Sequence, residues 1–229
     1  MTMLSGEFES SQIIYGLMND FLPTPIAFGK FKAPGPPTYF YLCEFVNMDV
    51  TVAPDPAEFT KRLAQLHRIS RSPTGKFGFD VQTYDGQVTH IVEWQDKWET
   101  FFTNMLMNIY EKDLATNGRW VEMERATKQI VHVVIPRLLG ALQAGDRKLE
   151  PAIIHGDLWE GNMGINVQNG KSILFDAGSY YGHNEIELGI WRCQFSSVFR
   201  SKEYLEHYLS NYREQSPLRS SITETDFTA

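Results

Sequence analysis

Apolar positions along the chain first recur at helical spacing: between Gly6 and Asp20, residues Phe8, Ile13, Ile14, Leu17 and Met18 follow the 3.6-residue period, and Pro23 and Pro25 then block its continuation. The spacing predicts a short helix feeding a turn. Ile26 to Phe31 and Tyr39 to Phe45 are short, apolar and rich in aromatic rings, and the breaker run Ala33-Pro34-Gly35-Pro36-Pro37 divides them, so they read as two strands joined by a loop. Pro54, Asp55 and Pro56 open a helix that carries Phe59, Leu63, Leu66 and Ile69 on one face. From Arg71 to Asp96 the chain is turn-rich, with Ser72-Pro73-Thr74-Gly75 and Asp85-Gly86 as punctuation, which predicts loop with a short hairpin.

Two longer amphipathic helices follow, Lys97 to Tyr110 and Trp120 to Leu142, separated at Asn117-Gly118. The short apolar runs Ala152-Ile153-Ile154 and Ser172-Ile173-Leu174-Phe175 then flank a Gly/Asn-rich segment, and each ends at an aspartate-bearing turn. A helix over Tyr204 to Tyr212 comes last. A strand-bearing first part followed by a helical part with a strand pair predicts an α+β fold in two lobes, residues 1–47 and 48–229, with a hinge near Glu44 to Met48 and a ligand cleft between them.

Composition narrows the function. The 229 residues carry a formal net charge of -7, which argues against a general nucleic-acid or anionic-membrane binder, since those partners are drawn by positive potential. No apolar run approaches the ~20 residues that span a bilayer, and Met1 to Ser10 lacks the basic-then-apolar order of a signal peptide. A cytoplasmic protein is the expectation. Cys43 and Cys193 have no Cys or His nearby at metal-ligand spacing and are predicted to be buried, reduced thiols.

The chemistry lies in His155-Gly156-Asp157-Leu158-Trp159-Glu160-Gly161-Asn162, followed by Asp176-Ala177-Gly178. H-x-D-x-x-x-x-N and then a strand ending in D-x-G is the kinase order of catalytic loop and metal-binding loop. Phosphoryl transfer needs a carboxylate beside the acceptor hydroxyl, and metal ligands facing it that bind the phosphates. A solvated Asp/Asn loop is the bland alternative, but the H-x-D-x-x-x-x-N spacing alone arises by chance only ~0.01 times per chain of this composition. Asp157 is the candidate base, Asn162 and Asp176 the candidate magnesium ligands, and His155 a buttress of the loop. The Glu44 carbonyl and Val46 amide are candidates for an adenine edge. Glu7, ahead of Glu9, is the candidate helix carboxylate that pairs an ATP-holding lysine. His67 is read as a satisfied core histidine, and Trp94, Trp98, Phe101 and Phe102 as packing.

Together with Ser179-Tyr180-Tyr181-Gly182-His183-Asn184-Glu185, the catalytic segment resembles the signatures of the fructosamine-3-kinase/ketosamine-3-kinase family, a branch of the aminoglycoside-phosphotransferase-like kinases. Further matches at Gly6-Glu7, Leu63 to His67, Gly75 to Phe79, Trp94 to Trp98 and Glu187-Leu188 extend the resemblance over about residues 6 to 215. It implies a bilobal protein-kinase-like fold with a mostly helical C-terminal lobe, ATP and Mg2+ as cofactors, and phosphorylation of the 3-hydroxyl of a ketosamine on a glycated protein or small amine. The 3-phosphate then decomposes and frees the amine, a deglycation repair. The family places a Gly-rich strand pair and a lysine strand ahead of the Gly6-Glu7 helix and continues its helical lobe past Tyr212, so the resemblance implies an N-terminal lobe incomplete in this sequence and a shortened C-terminal one. Two alternatives stay open: a kinase for another small hydroxyl compound, such as an aminoglycoside or a choline-like substrate, and an inactive pseudokinase acting as a binding protein.

Overall fold

The computed structural model of the protein describes residues 3–32 and 34–213. Helix α1 (Met3–Leu17) ends before the prolines and packs on an antiparallel hairpin of β1 (Pro25–Lys30) and β2 (Tyr39–Cys43), in which Phe28 opposes Tyr41. The Phe8 ring of α1 sits 6.3 Å from that of Phe28 and 5.7 Å from that of Tyr41, which seats the helix on the sheet. The expected strands are present, trimmed at their ends. A two-residue strand, β3 (Met48–Asp49), follows.

Asp55 caps α2 (Pro56–Ile69) by accepting the Glu58 N–H at 2.8 Å, and Pro56 occupies the first turn, where no N–H is needed. Phe59, Leu63 and Leu66 are buried as the periodicity predicts. Ile69 is not: three residues past Leu66 it has rotated off the stripe at the helix end and is 40% exposed. The predicted short hairpin is β4 (Tyr84–Asp85) with β5 (Val88–Thr89), turned at Gly86, whose φ is +53°.

Helix α3 (Trp98–Asn117) runs past its expected end at Tyr110 and stops at Gly118, whose N–H donates to the Leu114 carbonyl at 3.0 Å. The helix expected over Trp120 to Leu142 is instead α4 (Val121–Gln129), a π turn over Ile130–Val134, α5 (Ile135–Leu138) and a 3-10 turn over Gly140–Gln143. Pro136 is the cause: it has no N–H for residue 132, and the Ile135 N–H reaches back five residues to Ile130.

Beyond it, β6 (Ala152–Ile153) pairs with β9 (Tyr181–Gly182), while β7 (Met163–Asn166) lies between β3 and β8 (Ser172–Leu174). β7 was not expected, since Met-Gly-Ile-Asn is too short and too glycine-bearing to stand out as a strand. Helix α6 (Lys202–Arg213) closes the described chain and packs along α2. Beneath them Phe59 and Trp191 stack on Phe199 at 5.1 and 5.0 Å, and Tyr204 meets Phe199 edge-on at 5.0 Å. Burial of each such side chain contributes about 1.5–3 kcal/mol. Arg62 of α2 reaches across to the Ser172 carbonyl at 2.7 Å and to the Asp20 carboxylate at 2.9 Å, with its guanidinium over the Phe21 ring. Among the described residues no helix is long and apolar enough to cross a membrane.

The cysteines depart from expectation. Cys43 is half-buried, because it lies in a two-stranded sheet, and Cys193 is exposed at the end of a 3-10 turn.

Candidate active site

Strand β6 delivers His155-Gly156-Asp157, and the β7–β8 hairpin delivers Asp176 opposite it. The Gly178 N–H donates to the His155 carbonyl at 2.9 Å. Gly156 has φ +91°, and a Cβ on it would lie 2.3 Å from the Gly178 carbonyl oxygen; a Cβ on Gly178 would lie 2.5 Å from the Tyr84 carbonyl oxygen. These two glycines let the catalytic loop, the Asp176 loop and the β4–β5 hairpin stack backbone against backbone. Asp176 itself sits at φ +62°, a region costly for a residue with a Cβ.

The buried His155 ring braces the loop as expected, with Nε2 on the Phe175 carbonyl at 3.0 Å and Nδ1 accepting the Asp157 N–H at 3.3 Å. A second brace comes from Glu187, in a 3-10 turn over Asn184–Leu188. Its carboxylate accepts the His155 N–H at 2.5 Å and the Gly156 N–H at 3.1 Å. Burial pushes this carboxyl up, but the neighbouring His67 and His155 rings and the backbone donor outweigh it and hold the group below the usual glutamate range. His67 is not the fully satisfied core histidine predicted. Its Nδ1 meets the Tyr208 hydroxyl at 2.7 Å, which in turn accepts from Asn184 at 2.8 Å, while Nε2 faces Glu187 at 3.6 Å with no hydrogen bond. Helix α2 carries His67 there and α6 carries Tyr208, so the packing of α2 on α6 leads directly to the catalytic loop.

The Asn162 side-chain amide donates to both the backbone oxygen of Asp157, at 2.9 Å, and its Oδ2, at 2.7 Å. This fixes the Asp157 carboxylate and leaves the Asn162 amide oxygen for another ligand. Burial raises the Asp157 carboxyl above the usual range; the Asn162 bond opposes this and the charges of Asp85 and Asp176 add to it. Helix α1 is tied in through Ser10, whose Oγ accepts the Ser179 N–H at 3.0 Å. Glu7 is thereby brought beside Asp157 and Asp176 in an acidic cavity of about 80 Å3. Burial, and then the charge of Asp176, pushes Glu7 up to about 7. No Lys or Arg pairs with it among the described residues.

A stability profile should show this. Below the ordinary glutamate value Glu7 is neutral in both folded and unfolded chains. As pH rises from there to about 7 the unfolded chain ionises while the folded one keeps its proton, so stability falls, and the loss is complete above about 7. Glu7→Gln removes the effect. Allowing for solvent around a half-buried group, the variant should gain about 1–2 kcal/mol over wild type at pH 8 and almost nothing at pH 4.5, in urea melts with chelator. A gap that does not change with pH would show that Glu7 is ionised normally.

Glu44 and Val46 fall in the irregular stretch 44–47 and do not line the acidic cavity. The Glu44 carboxylate accepts the Thr24 hydroxyl at 2.6 Å and its N–H bonds the Thr24 carbonyl at 2.9 Å. The Glu44 carbonyl and Val46 N–H make no hydrogen bond among the described residues.

On the other side of Asp157 opens a cavity of about 460 Å3. Its lining includes Phe102 and Trp98, so part of the aromatic cluster expected only to pack also borders a cavity; Phe101 and Trp94 pack, on Trp98 at 5.7 Å and on Tyr181 at 6.1 Å. Asp85, Tyr180, Glu187 and Cys193 also line it, and none was singled out for a site from the sequence. Asp85 had appeared only as turn punctuation. Tyr180 and Glu187 fall within or just after the signature run, and that position was their one available signal.

A profile of the fructosamine kinase family matches residues 1–225. The chloroplastic protein-ribulosamine 3-kinase of Oryza sativa subsp. japonica is 26% identical over 231 residues, covering 92% of this chain and 64% of its own length. The ketosamine-3-kinase of Mus musculus is 32% identical over 142 residues, 58% of this chain and 40% of its own. The chain spans 64–66% of the length of the three plant relatives it matches. Among solved structures, a Thermobifida fusca protein assigned as a fructosamine-3-kinase superposes with a TM-score of 0.66 at 20% identity, over 96% of this chain and 67% of that one. A Haemophilus somnus protein assigned likewise gives 0.65 at 21%, over 92% and 64%. At such identities the likeness is one of fold.

Proposed function

We propose that this chain, which belongs to the fructosamine kinase family, serves in transferring the γ-phosphoryl group of ATP to the 3-hydroxyl of a ketosamine, a ribulosamine or fructosamine adduct of an amine. The observation that carries this reading is Asp157, fixed by Asn162 at the meeting point of an acidic cavity and a larger, mainly apolar one. The acidic side suits metal-bound phosphates; the larger side suits the acceptor. Asp157 takes the proton of the 3-hydroxyl as its oxygen attacks the γ-phosphorus and ADP departs. The raised carboxyl of Asp157 makes it a better proton acceptor than an ordinary aspartate.

Asp176 and the Asn162 amide oxygen form a hard-oxygen donor pair, which fits Mg2+, an ion usually held by one or two protein oxygens and the phosphates. When bound, Mg2+ would neutralise charge on the transferring phosphoryl group. Residues 1–47 then act as the nucleotide-side lobe and 48–229 as the acceptor-side lobe. In this division the Glu44 carbonyl and Val46 N–H meet the adenine edge, and Glu7 is the helix carboxylate of the nucleotide site. The 3-phosphate formed would eliminate and release the amine, making the reaction a deglycation.

The reading is tested by incubating the protein with Mg-ATP and a ribulosamine and following 31P signals for the sugar 3-phosphate. No sugar phosphate above a protein-free control would sink it. Asp176→Ala should weaken Mg-ATP at least about tenfold in calorimetric titration, since even indirect partners of a metal typically matter that much. Unaltered affinity and magnesium dependence would remove the D-x-G loop from the metal site.

A further inference from the structure

The walls of the 460 Å3 cavity differ in chemistry. One is apolar, formed by Phe102, Met105, Leu106 and Ile109 of α3 with Ile190 and Phe195. The other carries Asp157, Tyr180 and, on the β4–β5 hairpin, Asp85. Tyr180 is only 5% exposed, and its hydroxyl, which makes no hydrogen bond among the described residues, is reachable from the cavity rather than sealed in the core. The Asp85 carboxylate likewise makes no hydrogen bond or ion pair among the described residues. No Lys or Arg lines the space. Lys112 is held by the Thr89 hydroxyl at 2.5 Å, outside the lining. His90 stands edge-on to Tyr180, shares Nδ1 with the Thr83 hydroxyl at 3.0 Å, and is driven down to about 4 by burial, so it adds no positive charge at neutral pH.

We infer that Asp85 holds the acceptor's ammonium group and so sets the specificity of this site for cationic ketosamines carrying an apolar amine substituent, an inference that rests on the ketosamine reading above. A ketosamine nitrogen stands three bonds from C3. With the 3-hydroxyl at Asp157, the nitrogen stays inside the same cavity, where Asp85 supplies the uncommitted carboxylate and the Tyr180 hydroxyl can meet a sugar oxygen. The substituent on nitrogen then runs along the α3 wall. Asp85 itself is exposed at the hairpin rim of the cavity, so a secondary ammonium there forms a charge-assisted bond that water screens in part. A neutral acceptor of the same shape forgoes that bond.

Two probes separate charge from shape: the ribulosamine of hexylamine and its ether analogue, with oxygen replacing the N–H. Both are titrated calorimetrically at pH 7 into wild type, Asp85→Asn and Asp85→Glu, with Mg2+ and a non-hydrolysable ATP analogue present. Asn is isosteric and keeps the hairpin's turn chemistry, in which Asp85 opposes Val88 ahead of Gly86. Wild type should prefer the amine by about threefold or more. The preference should vanish, to within about 1.5-fold, in Asp85→Asn and persist in Asp85→Glu. An unchanged preference in Asp85→Asn, or none in wild type, would overturn the role of Asp85 and leave the ketosamine reading standing. Binding of the ATP analogue without either probe would overturn both.

Discussion

Asp157→Asn should lower turnover of a ketosamine by ~10² to 10⁴ while leaving Mg-ATP affinity within about twofold, because the change removes the proton acceptor and keeps the shape of the site. Asn162 would still donate to the backbone oxygen of residue 157, so the loop has no reason to collapse. Two measurements on the same preparations decide it: initial rates of sugar phosphate formation, and calorimetric titration with Mg-ATP. A variant that keeps more than half its turnover would take Asp157 out of the proton transfer. One that loses nucleotide binding in parallel would make the residue a scaffold.

The second large effect is expected at Glu187, which touches no reacting atom in the proposed mechanism. Glu187→Ala strands two buried amides, those of His155 and Gly156, and the edge of His67 that faced the carboxylate. The expected loss is about 2–5 kcal/mol of stability. Since the folded carboxyl lies below its unfolded value, its contribution is present above the ordinary glutamate range and fades as pH falls through the depressed folded value. The stability gap between wild type and variant in urea should therefore narrow on acidification. As a positioning residue, Glu187 should also show a kcat loss in the fraction that remains folded, with KM for Mg-ATP little changed and partial recovery in Glu187→Gln, which keeps one acceptor oxygen. A variant that is destabilised but has normal kcat would make the residue structural alone.

The elements legible in the sequence were those whose signal is local. Asp55 and Pro56 announce α2 because a cap and a fixed φ act within one turn. The H-x-D-x-x-x-x-N and D-x-G spacing was readable because Asn162 leads into β7 and Asp176 follows β8 at the same end of one hairpin, with Asp157 only five residues before Asn162, so short separation in sequence maps onto closeness in space. Long-range contacts were not readable. β7 finds β3 across more than a hundred residues, and no periodicity in Met-Gly-Ile-Asn reports that partner. Glu187 looks like any glutamate until the chain folds it under His155. Cys193 and Phe102 were assigned to the interior because apolar character was taken to mean core, whereas an open cavity is lined with the same residue types. The π turn was hidden in a helical pattern whose apolar spacing tolerates one extra residue, although Pro136 marked where the bonding had to shift.

The thread from Tyr208 through His67 to Glu187 also bears on when the active loop takes shape as the chain is made. His67 and Tyr208 are 141 positions apart, and Glu187 is 32 positions beyond His155. A ribosome delivers the catalytic segment well before the residues that pin it. Until α6 emerges and lies down on α2, Tyr208 cannot orient the His67 ring, and the carboxylate beneath His155 lacks its neighbour. Early in synthesis the segment around Asp157 therefore lacks contacts that hold it in the folded chain. The final geometry of that segment rests on contacts distant in sequence, the kind whose closure carries the larger entropy cost.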